Sequence, residues 1–457
     1  MTMQPTVAES FAALLRADPA APVAWTAAGV RTRRDLDALA DAAAVALGQV
    51  PAGSRVAVQA RCGFTFLAAV LAVWRRAGCA VLFDAGDPRA PRLDLARRCG
   101  AAAVLDGDAD WRVTPLDGGA PAGRWAAIKL TSGTTAEPRA VAVDAAALAA
   151  DAAAVEAAMG IGDGDRVLAA VPMSFSYGVG NLLVPALQRG RVLVLPDARH
   201  PLGLLRALRA GAPTVLPAVP ALVRALLQQA GPLPASLRLC VSAGAPLAPA
   251  VAAAFRARFG QPVHVFYGAT EAGGICYDRT GTAAERGSVG APIAGVDVWL
   301  DADGRACVRS AAVGVALEAD ADLEGGTFRT ADLGEFRDGE LVLLGRASDS
   351  FDVGGHKVHP HEVERAIAAL PGVRDVAVVP WHDDAGRRSA AALVVGRGID
   401  ERAVRSQCAR ELPAAKVPRC IVLVDELPRS DRGKLTRDAV ERLLAAAPRR
   451  GEAGRSA

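Results

Sequence analysis

The stretch LRLCVSAGAPLAPAVAAAFRARFGQPVHVFYG, residues 237–268, decides the fold class of this chain. A short β-branched run, LRLCVSAG, is followed by the longer run APAVAAAFRARFG and then by a second short run, PVHVFYG. Strand, helix and strand in this order build a sheet of parallel strands, because the helix carries the chain back to the edge where the first strand began. The stretch therefore predicts an α/β fold.

The same alternation recurs through the first part of the chain. SRVAVQA at 54–60 precedes GFTFLAAVLAVWRRAG at 63–78, and DRVLAAVPM at 165–173 precedes GNLLVPALQRG at 180–190. We therefore predict a large N-terminal domain of parallel-rich sheets flanked by helices. Ligands of such sheets bind where the strands end. The alanine-rich residues 142–160, spaced by Asp and Glu, indicate a surface helix rather than disorder.

The pattern changes near residue 285, where short strands and tight turns begin. VDVWLDADGRACV at 296–308 and GEFRDGELVLLGR at 334–346 predict a small antiparallel, β-barrel-like unit over about 285–345, which completes an N-terminal domain at 1–345. Helix and strand patterns over 346–445 predict a compact α+β C-terminal domain. The polar residues 446–457 are expected to form a disordered tail.

The composition excludes several classes of protein. At 457 residues, with 51% hydrophobic and 22% charged residues, the chain is typical of a globular protein of two or three units. A formal charge of +3 and 4% aromatic residues argue against nucleic acid or a membrane as partner. We find no basic leader, no apolar run of membrane-spanning length and no CxxC spacing among eight cysteines. We therefore expect a cytoplasmic protein with reduced cysteines.

The run LTSGTTAEPRAV, residues 130–141, concentrates hydroxyl groups and glycine in a few positions. Backbone amides and hydroxyls can converge there on one point, which is the environment a phosphate requires. The GxxxxGK[ST] pattern of P-loop enzymes does not occur in the chain. An ordinary polar turn remains the alternative if this run is considered alone.

Four further stretches carry groups suited to chemistry. SAGAPL at 242–247 offers small residues at a strand end, and YGATEAGG at 267–274 offers an aromatic ring and an isolated carboxylate. FRTADLGEF at 328–336 places Asp332 in a predicted turn between strands. LPRSDRGKLTR at 427–437 contains a single lysine in a basic loop. An ordinary structural role, such as a strand-ending turn or a surface lysine, could explain each stretch alone. Such roles explain all of the stretches together much less well.

Together, in this order and over these distances, the five stretches resemble the adenylate-forming superfamily: acyl-CoA synthetases, aryl-acid ligases and related AMP-binding enzymes. The resemblance extends from VPAGSRVAVQ at 50–59 to GKLTRDAV at 433–440. It implies an AMP-forming acid–thiol ligase with ATP and Mg²⁺ as cofactors. Such an enzyme converts a carboxylate to an acyl-adenylate with release of pyrophosphate, and then transfers the acyl group to the pantetheine thiol of coenzyme A or of a carrier protein.

The resemblance assigns the nucleotide contacts residue by residue. The phosphate loop, which closes over the β- and γ-phosphates, matches Thr131, Ser132, Gly133, Thr134 and Thr135. The adenine pocket, in which the tyrosine ring covers the base, matches Gly244, Ala245, Tyr267 and Gly268.

The reacting groups are also implied by the resemblance. Asp332 matches the carboxylate that grips both ribose hydroxyls, with Arg346 beside it. Thr270 and Glu271 match the pair near the α-phosphate, where the glutamate holds Mg²⁺. Lys434 matches the lysine that bridges the substrate carboxylate and the α-phosphate. These residue types suit the reaction. A carboxylate that attacks ATP brings an anion toward a polyanion, so the reaction needs charge neutralisation and positioning.

The C-terminal domain of this family is a mobile lid that swings after a GR pair, delivering the lysine for adenylation and then a glycine loop for thiol attack. By the resemblance, the pantetheine path is lined by Gly354, Gly355 and Lys357. The lid would thus comprise residues 346–445.

The acyl pocket is expected to border VPMSFSYGVGN at 171–181, where Phe175 takes the gating position. Ser176 stands where amino-acid-activating relatives place an aspartate, which argues against an ordinary α-amino acid because a buried ammonium would lack its partner. The remaining small or apolar pocket residues indicate an aryl or a short to medium aliphatic acid. They are Gly178, Ala243, Gly268, Ala269, Gly273 and Ile275.

The chain departs from the family pattern TSGTTGxPKGV at Ala136, Arg139 and Ala140, so the phosphate loop has lost two flexible glycines. These changes leave open an adenylate-binding protein with little turnover. The acceptor also stays open, because coenzyme A and a carrier protein present the same thiol arm. An enzyme transferring only to a partner carrier protein in a biosynthetic assembly line is therefore a further alternative.

Overall fold

The computed structural model describes residues 5–61, 63–83, 85, 89–108, 110–131, 138–197, 201–354, 356–382, 386–428 and 437–445. The tail predicted to be disordered, 446–457, lies outside the described residues.

Helices account for much of the chain that the structure describes, and no described helix combines the length and the apolar character needed to cross a membrane. In chain order the helices are α1 Val7–Ala17, α2 Arg33–Ala46, α3 Phe64–Arg75, α4 Arg89–Arg98, α5 Ala145–Met159, α6 Ser176–Gly178, α7 Val184–Arg189, α8 Pro201–Ala210, α9 Pro220–Gln228, α10 Pro249–Phe259, α11 Ala283–Arg286, α12 Pro360–Ala368, α13 Glu401–Glu411 and α14 Arg437–Ala445.

The first eighteen strands in chain order are β1 Pro22–Thr26, β2 Gly29–Thr32, β3 Arg55–Val58, β4 Cys79–Leu82, β5 Ala103–Asp106, β6 Arg112–Pro115, β7 Trp125–Leu130, β8 Ala140–Asp144, β9 Arg166–Leu168, β10 Val192–Val194, β11 Val215–Ala218, β12 Leu239–Ser242, β13 His264–Ala269, β14 Gly273–Tyr277, β15 Ala291–Pro292, β16 Val296–Leu300, β17 Arg305–Ser310 and β18 Val315–Ala316. The next eight are β19 Leu323–Glu324, β20 Thr327–Arg337, β21 Glu340–Arg346, β22 Phe351–Val353, β23 His356–Val358, β24 Val373–His382, β25 Arg388–Gly396 and β26 Cys420–Leu423.

Two large sheets form the N-terminal domain. The seven-stranded sheet has the order β18-β8-β7-β4-β3-β5-β6, and its inner strands β7, β4, β3 and β5 are parallel. The nine-stranded sheet has the order β15-β14-β13-β12-β11-β9-β10-β1-β2, with parallel pairing from β13 to β1. The predicted α/β fold with parallel-rich sheets is confirmed.

One continuous hydrophobic core joins the two sheets. Val58 and Leu82 of the seven-stranded sheet and Val167 and Val241 of the nine-stranded sheet belong to it. Helix α3 contributes nine consecutive buried residues, 66–74, because it is enclosed on all sides rather than on one face.

Helix α5 is not the surface helix that its composition indicates. Asp144 caps its start by accepting a hydrogen bond of 2.9 Å from the Ala147 amide. The helix packs against β7 and β8 of one sheet and against β14 of the other. Buried residues are therefore spread along the helix, from Ala147 to Met159. Two of its acidic residues, Asp151 and Glu156, are buried. The prediction failed because a sequence does not reveal which distant residues cover the polar positions: Asp151 accepts a hydrogen bond from Gly274 of β14, and Glu156 pairs with Arg189 and Arg191.

The small antiparallel unit predicted after residue 285 is a five-stranded sheet, in which β16, β17, β20 and β19 are neighbours and β21 pairs with β20. Asp332 was predicted to lie in a turn between strands, but it lies inside the eleven-residue strand β20. Its backbone is held there because β20 continues past a bulge at Leu333 and Gly334 and remains paired with β21 on both sides.

The smaller C-terminal domain has an α+β architecture. Strands β22 and β23 form a hairpin, and β24, β25 and β26 form a three-stranded sheet. Helices α12 and α13 contribute Val363, Ile367 and Val404 to a core that includes Val378 of β24 and Val394 of β25. This domain therefore has a hydrophobic core of its own.

Candidate active site

Asp332 lies at the centre of a group of side chains that are far apart in sequence. Its Oδ2 accepts a hydrogen bond of 2.6 Å from the Tyr267 hydroxyl, and its Oδ1 accepts one of 3.2 Å from Arg346 Nε. The backbone fixes the group, because Asp332 pairs with Arg346 across β20 and β21 and its amide donates to Thr330 Oγ1 at 3.0 Å. The structure thus brings together three residues that were predicted to contact adenosine.

Tyr267 is held in its protonated form. Burial, reinforced by the negative charge of Asp332, raises the pKa of the Tyr267 phenol well above its usual range. The phenol therefore acts as a hydrogen-bond donor to Asp332. Because a carboxylate has about four lone-pair positions, Asp332 keeps acceptor capacity for the two hydroxyls of a ribose.

Gly244 and Ala245 follow β12, and Tyr267 lies near the end of β13. The two strands are parallel, so their carboxyl ends meet at the same edge of the nine-stranded sheet. Gly244 has φ +83°, a left-handed conformation that glycine adopts without strain. Gly244 and Ala245 are both exposed, which leaves room for a flat ring against the backbone at this edge.

Thr270 and Glu271 form the turn between β13 and β14. The Glu271 carbonyl accepts a hydrogen bond of 2.8 Å from the Gly314 amide, which fixes the turn. Burial raises the pKa of the Glu271 carboxyl, while the positive charges of Lys129 and Arg139 oppose that rise. A carboxylate beside a threonine hydroxyl is a hard oxygen donor set that fits Mg²⁺, and a divalent cation would favour the ionised carboxylate.

The base of the predicted phosphate loop is closed by two hydrogen bonds. The Thr131 amide donates to the Arg139 carbonyl at 2.9 Å, and the Arg139 amide donates to Thr131 Oγ1 at 3.0 Å. The Arg139 guanidinium binds Asp320 Oδ2 at 2.9 Å. The remaining predicted loop residues, Ser132, Gly133, Thr134 and Thr135, lie outside the described residues.

The segment predicted to border the acyl pocket has an irregular backbone. Phe175 is 37% exposed and precedes α6, which begins at Ser176. A β-carbon on Gly178 would overlap the Pro172 carbonyl oxygen, so only glycine fits there. The chain then forms a π-helical turn over Val179–Leu183, a distortion that is frequent at functional sites.

The other predicted pocket residues lie near this segment. Helix α6 contacts β14, the strand that carries Gly273 and Ile275, and both residues are buried. Ala269 and Gly268 end β13, and Ala243 follows β12. Tyr177 of α6 stacks on Phe266 of β13 with the ring centroids 5.7 Å apart. The structure therefore brings the end of β12, the β13–β14 hairpin and α6 together.

The sequence analysis missed two charged residues that lie close to the predicted acyl pocket. Lys129 of β7 and Asp151 of α5 are only 3% and 7% exposed. Burial lowers the pKa of the Lys129 ammonium, against the opposing charges of Asp151 and Glu271. Burial raises the pKa of the Asp151 carboxyl, against the charge of Lys129 and a hydrogen bond from the Gly274 amide. Lys129 is the single charge in the apolar strand WAAIKL, which is the signal that could have drawn attention to it.

The residues predicted to line the thiol path lie in the C-terminal domain. Gly354, with φ +56°, forms the turn of the β22–β23 hairpin, and Lys357 is an exposed residue of β23. The predicted path residue Gly355 and the predicted catalytic Lys434 lie outside the described residues.

The chain is similar to known proteins over most of its length. Residues 108–315 match the family "AMP-binding enzyme", and residues 362–434 match the "AMP-binding enzyme C-terminal domain". The 4-hydroxybenzoate–CoA/benzoate–CoA ligase of Rhodopseudomonas palustris is 31% identical over 384 residues, which cover 77% of this chain and 69% of the relative. A probable 2-succinylbenzoate–CoA ligase of Mycobacterium tuberculosis is 34% identical over 355 residues, which cover 70% of this chain and 85% of the relative. The chain belongs to the AMP-binding enzyme family.

Solved structures show the same fold. The o-succinylbenzoate CoA synthetase MenE of Bacillus subtilis, in complex with the acyl-adenylate intermediate OSB-AMP, matches with a TM-score of 0.81 at 22% identity. The match covers 96% of this chain and 99% of that one. ATP-bound MatB of Rhodopseudomonas palustris matches with a TM-score of 0.80 at 24% identity, over 95% of this chain and 98% of that one.

Proposed function

We propose that this protein is an ATP-dependent carboxylic acid ligase that forms an acyl-adenylate with release of pyrophosphate and then transfers the acyl group to a pantetheine thiol. The observation that carries the proposal is the Asp332 carboxylate, held by Arg346 and by Tyr267, whose strand β13 ends at the same sheet edge as the strand before Gly244 and Ala245. This arrangement suits a ribose diol below an adenine ring. The named CoA ligases among the relatives support the same reaction.

The chain's own groups are suited to the first step. Asp332 orients the ribose, and the hydroxyl-rich loop that begins at Thr131 orients pyrophosphate for departure. Glu271, with Thr270 beside it, would hold Mg²⁺, which would supply charge neutralisation for the triphosphate. The ammonium of Lys434 screens the repulsion between the substrate carboxylate and the α-phosphate, so that a carboxylate oxygen attacks phosphorus in line with the leaving group.

We infer that the second step requires the C-terminal domain to change position. The proposed division between the domains lies at Gly345 and Arg346, where β21 ends and Gly345 has φ +125°, a conformation that only glycine adopts readily. Rotation about this point would exchange Lys434 for the hairpin carrying Gly354, Gly355 and Lys357 beside the adenylate. Coenzyme A is the proposed acceptor, because the relatives are named CoA ligases; a partner carrier protein remains the alternative.

The acid is proposed to be aryl or short to medium aliphatic, since the predicted pocket residues Ala243, Gly273 and Ile275 are small or apolar and are buried. The proposed location is the cytoplasm. Its support is that seven cysteines among the described residues are free thiols. Burial raises the pKa of Cys79, Cys240 and Cys276 to about 12, which makes these thiols inert.

Carboxylate-dependent exchange of labelled pyrophosphate into ATP tests the proposal. We expect exchange with at least one class in a panel of aryl, aliphatic and amino acids, and loss of exchange in Asp332→Ala. The product should then appear as a thioester when coenzyme A or carrier-bound pantetheine is added. Absence of exchange across the panel, in a protein shown separately to bind ATP, would instead favour an adenylate-binding protein with little turnover.

A further inference from the structure

Lys129 and Asp151 are two opposite charges buried beside the acyl pocket. Lys129 lies on β7, where side chains alternate: Ile128 belongs to the core on one side of the sheet, and Ala127 belongs to the core shared by both sheets. Lys129 therefore shares the side of Ala127. Asp151 reaches the same space from α5, which packs against β7 and β14. Neither residue is used by the proposed adenylation chemistry.

The Lys129 ammonium has fewer partners than it can bind. Among the described residues its hydrogen bond goes to Ser176 Oγ at a long 3.4 Å, and no described carboxylate lies within the 4.0 Å that defines an ion pair. An ammonium has three N–H donors, and burying it without partners is costly. A lysine 97% enclosed and directed at the pocket residue Ser176 thus points to a ligand group that accepts hydrogen bonds.

The Asp151 carboxylate lies directly against the pocket wall. Its Oδ1 accepts a hydrogen bond of 2.8 Å from the Gly274 amide. A β-carbon on Gly273 would overlap this carboxylate, and one on Gly180 would lie 2.7 Å from Oδ2. Bare glycine backbone on two sides is therefore what allows a carboxylate to lie here.

The charges limit what the ligand group can be. A second carboxylate on the substrate would meet one cation, Lys129, and two anions, Asp151 and Glu271. An ammonium group would meet Asp151 but place a second cation beside Lys129. A neutral hydroxyl avoids both conflicts, because its oxygen accepts from Lys129 while its hydrogen is donated to Asp151. One oxygen atom can bridge two groups that lie too far apart to form an ion pair.

We propose that Lys129 and Asp151 form a polar subsite in the acyl pocket and that the acid activated by this protein carries a neutral hydroxyl group. The inference rests on the proposed function and narrows its substrate class. Ser176 belongs to the subsite as a partner of Lys129, which gives a role to the position where an amino-acid-activating enzyme would need a carboxylate.

Matched acids test the subsite. Pyrophosphate exchange would be measured for benzoate and its three monohydroxy isomers, and for hexanoate and its β- and ω-hydroxy derivatives. We expect at least one hydroxylated acid to exceed its parent in kcat/KM by about 100-fold or more, because a site built to bind a hydroxyl discriminates strongly against the analogue without it.

Variants then show whether Lys129 and Asp151 cause the discrimination between hydroxylated and parent acids. Lys129→Met/Asp151→Asn removes both charges together, so neither is left buried alone, and we expect the ratio of hydroxylated to parent kcat/KM to fall most of the way to one. Glu156→Gln is the matched control: it changes another buried carboxylate of α5, whose partners are Arg189 and Arg191. Its ratio of hydroxylated to parent kcat/KM should equal that of the wild type even if its stability is lower.

Equal kcat/KM within every matched pair, or unchanged discrimination in the double variant, would overturn the subsite while leaving adenylation established. Equal losses for hydroxylated and parent acids in the double variant would assign the pair a structural role and overturn it as well. Absence of exchange with every acid would overturn the proposed function itself, and the subsite as a substrate site with it.

Discussion

The Tyr267 hydroxyl donates a hydrogen bond of 2.6 Å to Asp332 Oδ2, across 65 positions of sequence. This contact joins the nine-stranded sheet, which carries Tyr267 on β13, to the antiparallel sheet, which carries Asp332 on β20. The adenine and ribose contacts predicted for the two residues can therefore be made by one rigid group. The predicted nucleotide site therefore depends on the packing of these two sheets.

Tyr267→Phe removes the hydroxyl group but keeps the aromatic ring, and we expect it to weaken ATP binding. A hydrogen bond to a charged group is worth about 1.5–3 kcal/mol, so we expect the KM for ATP to rise about tenfold or more. Steady-state kinetics with ATP varied checks this. Tyr277→Phe, a buried tyrosine on the adjacent strand β14, is the control and should leave the KM for ATP unchanged. An unaltered KM in Tyr267→Phe would contradict the assigned contact.

Glu271→Gln should raise the Mg²⁺ requirement. Loss of a metal ligand is expected to increase the half-saturating Mg²⁺ concentration by about tenfold or more. Because burial raises the pKa of Glu271, protons compete with Mg²⁺ as the pH falls, and the wild-type requirement should increase at low pH. The Gln variant should not show this pH dependence. The control Glu285→Gln, whose partner is Arg256 at 3.2 Å, should behave as wild type in both measurements.

Lys434→Ala should separate the two half-reactions. We expect adenylation, measured by pyrophosphate exchange, to fall by about 100-fold or more, because the lysine is proposed to screen two anions in that step. Thioester formation from supplied acyl-adenylate should be much less affected. Lys416→Ala, which removes a C-terminal-domain lysine paired with Glu362 at 2.6 Å, is the control for general effects on the domain. Equal losses in both half-reactions of Lys434→Ala would exclude the assigned role.

Gly178→Ala should destabilise the fold at the predicted acyl pocket. The added β-carbon would overlap the Pro172 carbonyl oxygen, so the backbone has to shift, at a cost of about 1–3 kcal/mol or more. Thermal or urea unfolding measures the loss. Gly164→Ala is the control, because a β-carbon there meets no atom within 4 Å, and its stability should stay close to that of the wild type. Similar stabilities for the two variants would show that the segment relaxes easily.

Asp165 should make stability depend on pH in the acid range. Burial alone would raise the pKa of this carboxyl, but hydrogen bonds from Arg238, Thr214 and the Gly162 amide lower it to about 2. A lowered folded-state pKa stabilises the fold above the unfolded pKa, near 4, and the contribution disappears as the pH falls from there to about 2. Allowing for solvent screening of the partly exposed Arg238, we expect about 1–2 kcal/mol.

Asp165→Asn tests this contribution by urea unfolding at several pH values. The variant should be less stable than the wild type at pH 7, and the difference should shrink as the pH approaches 2. A difference that is constant with pH would show that the loss comes from packing rather than from the carboxylate charge. Asp163→Asn changes a neighbouring acid whose side chain is 99% exposed, and we expect a smaller effect from it.

The sequence predicted most of the architecture. The alternation of short and long apolar runs identified α/β sheets, and the change of texture near residue 285 identified the antiparallel unit, because hydrophobic periodicity is a local property. The motifs also placed Asp332, Tyr267 and Arg346 in one site, although their roles in catalysis stay predictions. The predicted position of Asp332 was wrong in detail: a turn between strands was expected, and only the pairing with β21 on both sides of a bulge shows a continuous strand.

What the sequence by itself determined is the fold class, and it also predicted a set of reactive groups, because strand and helix patterns and the five motifs each consist of neighbouring residues. What only the tertiary structure decided is the environment of Lys129 and Asp151. In sequence one is a single charge in an apolar strand and the other is a polar position of an alanine-rich helix. They become buried neighbours of the predicted acyl pocket because α5 packs against both large sheets, and burial of this kind depends on contacts between elements far apart in the chain.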